Sequence, residues 1–177
     1  MMNIVILFWM YVFLFAIVGG MRGWAKELLV SFSVIIALAL NYLIFQFVPF
    51  VADLAATNAT VFFWLRTVTL LALVFFGYQT VALVPHLASR ARREKVQDTI
   101  LGVVFGGING YLIAGTVLYY VHVANYPYPK VISAPTDPTL IDFVGRMMML
   151  MPPQVFGVPL IYFAVILAFV FVIIVYI

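Results

Sequence analysis

The chain has no cysteine, and only 8% of its 177 residues are Asp, Glu, Lys or Arg. The missing thiols exclude disulfides, thiolate catalysis, iron–sulfur clusters and cysteine-ligated zinc. The shortage of charge excludes an ordinary soluble domain, in which about 25% of residues would be charged. What is abundant is apolar: 67% of residues are hydrophobic and 17% aromatic, the composition of an integral membrane protein. At roughly 20 residues per crossing, five crossings use about 100 residues and leave no room for a catalytic domain outside the bilayer. The nine Lys and Arg exceed the six Asp and Glu by three, an excess read here as a topology signal and not as a nucleic-acid footprint.

Apolar runs at Ile4–Val18, Leu28–Val48, Val61–Leu83, Ile100–Val123 and Val158–Ile177 predict an all-α fold of about five transmembrane helices in one polytopic domain. No Lys or Arg precedes the first run, and Gly19, Gly20 and Met21 do not form a small-x-small cleavage site, so a retained helix is expected there. Arg22 and Lys26 lie between the first two runs, and Arg90, Arg92, Arg93 and Lys95 between the third and fourth. The positive-inside rule then puts both loops in the cytoplasm, the N-terminus outside and the C-terminus inside. Arg66 falls near the outer start of the third run, where it is expected to snorkel to the interface or pair with Asp53.

The connection over 124–157 is the one long loop, on the outer side. Tyr126, Pro127, Tyr128, Pro129, Pro135 and Pro138 predict an extended first part. Asp137 before Pro138 then reads as a helix start, and Leu140, Ile141, Phe143, Val144, Met147, Met148 and Met151 supply an apolar face. A short interfacial helix is expected, with Asp142 and Arg146 on its polar side, Pro152 and Pro153 as its stop, and its methionines against lipid or a neighbouring subunit. Asn58, Ala59 and Thr60 match a glycosylation sequon, which matters only in a eukaryotic secretory pathway.

Gly102, Gly106 and Gly110 recur every fourth residue in the fourth run, and Ala114 extends the stripe. Such a face admits another helix backbone closely, so these residues are read as a packing seam. Asn109 beside them needs a partner near the bilayer midplane, with Asn41, Gln46 and Gln79 as candidates. No Asp, Glu, Lys or His falls clearly mid-span, which argues against a proton-coupled carrier. His86 and His122 come from opposite ends of their helices, too far apart to share a haem, although either is a candidate ligand for a pigment. Ser89 and His86 sit three apart without an orienting third group, and no catalytic or metal-ligand constellation assembles at one depth.

Between the first two runs, Gly19, Arg22, Gly23, Lys26 and Glu27 form a tight turn with the pattern G-x-x-R-G-x-x-[KR]-E, with Glu27 placed to complement the start of the next helix. This segment resembles the signature of the colicin V production protein (CvpA) family, and the basic loop and glycine-spaced fourth helix resemble the same family over about residues 3–123. The resemblance implies a bacterial inner-membrane protein associated with colicin V production, and it brings no catalytic residues. The fifth helix and the outer loop before it depart from the family's usual four hydrophobic segments.

The expectation is a non-enzymatic bacterial inner-membrane protein without a resident cofactor. It would act by helix packing and by contacts with anionic lipid of the cytoplasmic leaflet and with other membrane subunits. An accessory subunit of a large photosynthetic or respiratory complex, in which pigment or lipid would bind, is the alternative, motivated by the fifth helix. A small channel or carrier is a third class and requires a water-accessible path near Asn109.

Overall fold

The computed structural model describes residues 3–83 and 95–176, and the described residues form helices with no β-strand. In chain order these are α1 (Ile4–Arg22), α2 (Trp24–Phe47), α3 (Pro49–Thr57), α4 (Ala59–Leu83), α5 (Lys95–Val123), α6 (Pro138–Met149), α7 (Pro152–Val155) and α8 (Leu160–Tyr176). Four of them, α1, α2, α4 and α5, are long and apolar enough to cross a membrane. The fifth, α8, has 17 residues, about 25 Å at 1.5 Å per residue, slightly short of a hydrocarbon core of about 30 Å. The all-α membrane architecture expected from composition is therefore present.

The boundaries differ from the apolar runs for a common reason. Helix α1 continues past Val18 to Arg22 and α2 begins at Trp24, so the expected turn shrinks to Gly23 alone. Hydropathy ends a run at the first polar residue, whereas the hydrogen-bond ladder continues wherever the polar side chains find partners inside the protein. Gly23 has φ +89°, a left-handed value that disfavours any side chain, and its N–H closes α1 on the Gly19 carbonyl at 2.9 Å. Helix α3 was not expected at all. Pro49 stands in its first turn, where a missing N–H costs nothing. Asn58, the sequon asparagine, instead caps α4, its side chain accepting from the Val61 N–H at 3.1 Å.

Helices α1 and α5 form the most extensive pair, and they run antiparallel: Gly19 faces Gly102, Phe15 faces Gly106 and Val12 faces Gly110. A Cβ on Gly106 would strike the Phe15 carbonyl oxygen and lie 2.8 Å from the Gly19 Cα, and one on Gly110 would lie 2.8 Å from the Val12 Cα. Helix α2 runs parallel to α5 and antiparallel to α4, joined to the latter by the Asn41 side-chain amide donating to the Arg66 carbonyl at 3.2 Å. Val30, Val34, Leu70, Val74, Leu112 and Ile113 fill the space among α2, α4 and α5.

The opposite end from Gly23 is closed by the long connection. Trp64 Nε1 donates to the Tyr128 hydroxyl at 2.6 Å and so ties the extended loop to α4. Asp137 caps α6 as expected, accepting from the Thr139 and Leu140 N–H groups at 2.8 and 3.2 Å, and the Thr139 hydroxyl, donating to the same carboxylate, together with these N–H bonds holds its carboxyl below the usual range. Asp142 and Arg146 pair at 2.9 Å on the exposed side. The methionine face is used differently from the expectation: Met148 and Met151, with Val144, are buried against Ile4, Leu7 and Phe8, while Leu140, Ile141 and Phe143 remain outward. Pro152 does not merely stop α6 but begins α7, which is held to α5 by Gln154 Nε2 donating to the Tyr119 hydroxyl at 2.6 Å.

Replacing Gly106 with valine should destabilise the protein by about 1–3 kcal/mol, because the added carbons meet backbone that cannot rotate away. Gly107→Ala, whose Cβ meets only the Ala16 methyl at 3.7 Å, should be tolerated. Thermal unfolding in detergent checks both, and equal losses would contradict the close approach of α1.

Candidate functional site

The motif residues and Asn109 converge on one buried polar cluster at the junction of α1, α2 and α5. Gly23 reverses the chain so sharply that Arg22, the last residue of α1, and Glu27, one turn into α2, face each other. Arg22 Nη1 lies 3.2 Å from Glu27 Oε1, an ion pair whose angle falls short of a hydrogen bond. The guanidinium also sits 4.1 Å from the centre of the Tyr78 ring, contributed by α4. Glu27 has no exposed surface, whereas 23% of the Arg22 side chain is exposed, so the cation reaches the edge of the bundle and the anion does not.

Asn109 completes the cluster, and its amide is used on both sides. Its Nδ2 donates to the Glu27 carbonyl and to Glu27 Oε2, each at 2.8 Å, and its Oδ1 accepts from the Ser31 hydroxyl at 2.7 Å. Ser31 also lies 3.3 Å from the Glu27 carbonyl one turn back in α2. Glu27 and Ser31 are four residues apart on one face of α2, and Asn109 bridges them from α5. The expected amide partners are thus replaced: Asn41 bonds the Arg66 backbone, and Gln46 and Gln79 are exposed. The physical reason is register. Parallel packing of α2 on α5 sets Asn109 beside the first turns of α2, and Asn41 lies far along the helix.

The reading of Glu27 as a mere complement to the start of α2 is corrected by this geometry. Asn109 stands midway along α5, and the carboxylate bonded to it is wholly enclosed. Asp98 gives a second tie at the same end, accepting from the Trp24 N–H at 3.2 Å, with its carboxylate against Gly23. Any Cβ on Gly23 would lie 2.6 Å from Asp98 Oδ2. Ser31, Tyr78 and Asp98 were missed by sequence reasoning. The i, i+4 spacing of Glu27 and Ser31 was the available signal for the first, whereas α4 and α5 supply the other two through tertiary packing alone.

The other site candidates are placed as follows. Gly102, Gly106, Gly110 and Ala114 are buried. Lys26 is half-buried, and Lys95 opens α5. His122 Nδ1 lies 3.0 Å from the Tyr126 hydroxyl, closing the turn after α5. His86, Ser89, Arg90, Arg92 and Arg93 lie outside the described residues. Among the described residues no group of three or more His, Asp or Glu is placed to hold a metal ion.

The model of the family described as Colicin V production protein matches residues 4–145, which takes in the Arg22–Glu27 turn, Asn109 and most of α6. The chain belongs to this family. No curated protein and no solved structure matches it. The family match extends past the expected limit near residue 123, so the outer loop and most of α6 are family features and only α7 and α8 lie beyond it. The arrangement is a helix clamp: one buried carboxylate gathers a guanidinium from α1 and an amide from α5, and that amide in turn holds the Ser31 hydroxyl of α2.

Glu27→Gln should destabilise this family member by about 3–5 kcal/mol, as expected for breaking a buried pair. Arg22→Gln should cost less, since 23% of that side chain is exposed. The double variant should lose less than the sum of the two, with a coupling of about 0.5–3 kcal/mol. Strictly additive losses in detergent unfolding would show that the pair contributes nothing.

Proposed function

We propose that the chain acts without catalysing a reaction, as a membrane-embedded scaffold that offers surfaces to lipid and to neighbouring membrane subunits. The observation that carries this reading is the division of polarity. The buried carboxylate, amide and hydroxyl at the Gly23 end are spent on one another, while large apolar side chains face outward: Ile6, Phe13 and Ile17 on α1 and Phe163, Leu167 and Ile174 on α8 are each more than half exposed. Close approach at the Gly102, Gly106 and Gly110 face would then serve to hold α1 rigidly for such contacts. Because Glu27 and Asn109 have no exposed surface, a conducting path at that depth is the weaker reading. The accessory-subunit alternative is favoured by α8, which lies beyond the family match, packs chiefly on α2 through Phe32–Phe171 and Tyr42–Tyr162, and leaves most of its circumference bare.

Its site would be the bacterial cytoplasmic membrane with the Gly23 end inward, the side on which Arg22, Lys26, Arg90, Arg92, Arg93 and Lys95 would meet anionic headgroups. Single-cysteine labelling of intact cells checks the orientation: Lys130→Cys should react with an impermeant maleimide and Arg92→Cys should be protected, and the reverse pattern would overturn it.

Gentle detergent extraction followed by native electrophoresis and mass spectrometry tests the scaffold reading. A stoichiometric band with other membrane subunits supports it, and pigment absorption in that band would select the accessory-subunit alternative. Migration as the isolated chain, with no partner in cross-linked native membranes, would overturn it.

A further inference from the structure

At the end of the bundle opposite Gly23, Arg66 is a cation with no carboxylate partner among the described residues. It does not pair with Asp53. Its guanidinium lies 3.9 Å from the centre of the Tyr120 ring and 5.2 Å from that of Phe62, turned in toward a cavity of about 480 Å³ between α2, α4, α5 and the α7–α8 junction. Counted from Ala59 at 1.5 Å per residue, Arg66 stands about 10 Å along α4 from its start.

Tyr120, Asn41 and Tyr42 bring further polar groups to the same cavity. Tyr120 is 2% exposed, and its hydroxyl makes no hydrogen bond of good geometry, although the Arg66 guanidinium and the Asn41 amide stand beside it as polar neighbours. Asn41 donates one N–H to the Arg66 carbonyl and carries a second N–H beside the Tyr120 hydroxyl. Beyond these groups the walls are apolar, with Leu38, Phe45, Phe62 and Val158 among them. A half-buried cation and a buried hydroxyl without a well-formed hydrogen bond are each costly when left alone, and a single anion satisfies both. Stacking on two rings offsets part of the cost but leaves the guanidinium edge and its fork of N–H donors available.

We propose that this cavity binds the phosphate group of an acidic phospholipid, with Arg66 holding two phosphate oxygens, the Tyr120 hydroxyl donating to the phosphate, and the acyl chains running out over Phe45 and Val158. The volume falls within the range of small-molecule sites, about 300–1,000 Å³. Phosphate is the chemistry that the donors recognise, and the aromatic and aliphatic walls assign it to a lipid in preference to free inorganic phosphate. The inference deepens the lipid-contact part of the proposed function and requires no partner subunit. Its failure would leave the native-complex result standing, and the isolated chain could bind lipid in full.

The test uses the full chain in neutral detergent, with phosphatidylglycerol, phosphatidylcholine or inorganic phosphate added, read by thermal unfolding and by native mass spectrometry. Phosphatidylglycerol should raise the unfolding temperature and leave one lipid bound, with a much smaller effect from phosphatidylcholine. Arg66→Gln should abolish that preference, and Arg146→Gln, on the exposed side of α6, should keep it. Tyr120→Phe removes only a hydroxyl that makes no hydrogen bond of good geometry, so the protein should fold normally and bind phosphatidylglycerol about tenfold more weakly, a result that decides the question even if Arg66→Gln misfolds. Equal effects of the two lipids, unchanged affinity in Tyr120→Phe, or a full shift with inorganic phosphate alone would each overturn the assignment.

Discussion

A carboxylate with no exposed surface inside an apolar bundle is the constraint around which the Gly23 end of this protein is arranged. Desolvating an ionised group costs several kcal/mol in real proteins, and Glu27 recovers this only where Arg22 and Asn109 reach it together. That requirement explains the one-residue link at Gly23, which brings the last residue of α1 back over the first turns of α2. It also sets the register of α5, because Asn109 must stand opposite Glu27 and Ser31. The polar cluster thus specifies relative positions along the helices that apolar packing, indifferent to small slides, would leave open.

The glycine face of α5 makes the cluster geometrically accessible. With Gly102, Gly106 and Gly110 against α1, backbone meets backbone, and Arg22 arrives close to α2. A bulkier face would hold α1 away and lengthen every distance in the ion pair. Lipid tails supply no hydrophobic drive for helix association, so such close contact gains its energy from dispersion and weak polar interactions. Tight packing and the polar cluster therefore reinforce one another at the same end of the same two helices.

The opposite end is built on a different principle. There α3, the extended loop, α6 and α7 cover the bundle with aromatic and methionine side chains, and Tyr128, Tyr119 and Tyr120 meet α4 and α7 through their hydroxyls or rings. Arg66 stands within this lining on the faces of two aromatic rings, with no carboxylate partner among the described residues, in contrast to the paired Arg22 and Glu27 beside Gly23. Beside Gly23 the buried charge is paired, and at the other end Arg66 has room beside it.

Composition and apolar run length determined the membrane class, the helical architecture and the four long spans, because a chain in hydrocarbon must satisfy its backbone within each helix and must devote about 20 apolar residues to each crossing. The Asp137–Pro138 helix start was equally legible, being a local hydrogen-bond pattern, as was the family turn at Gly19, Arg22, Gly23, Lys26 and Glu27. Local signals gave no access to interhelical register, and the differences in side-chain partners trace to that. The partner of Asn109, the burial of Glu27, the inward turn of Met148 and Met151, and the stacking of Arg66 on Tyr120 depend on which residues from distant segments come to the same depth. A helix states which residues share its face, but only packing against other helices decides what that face meets.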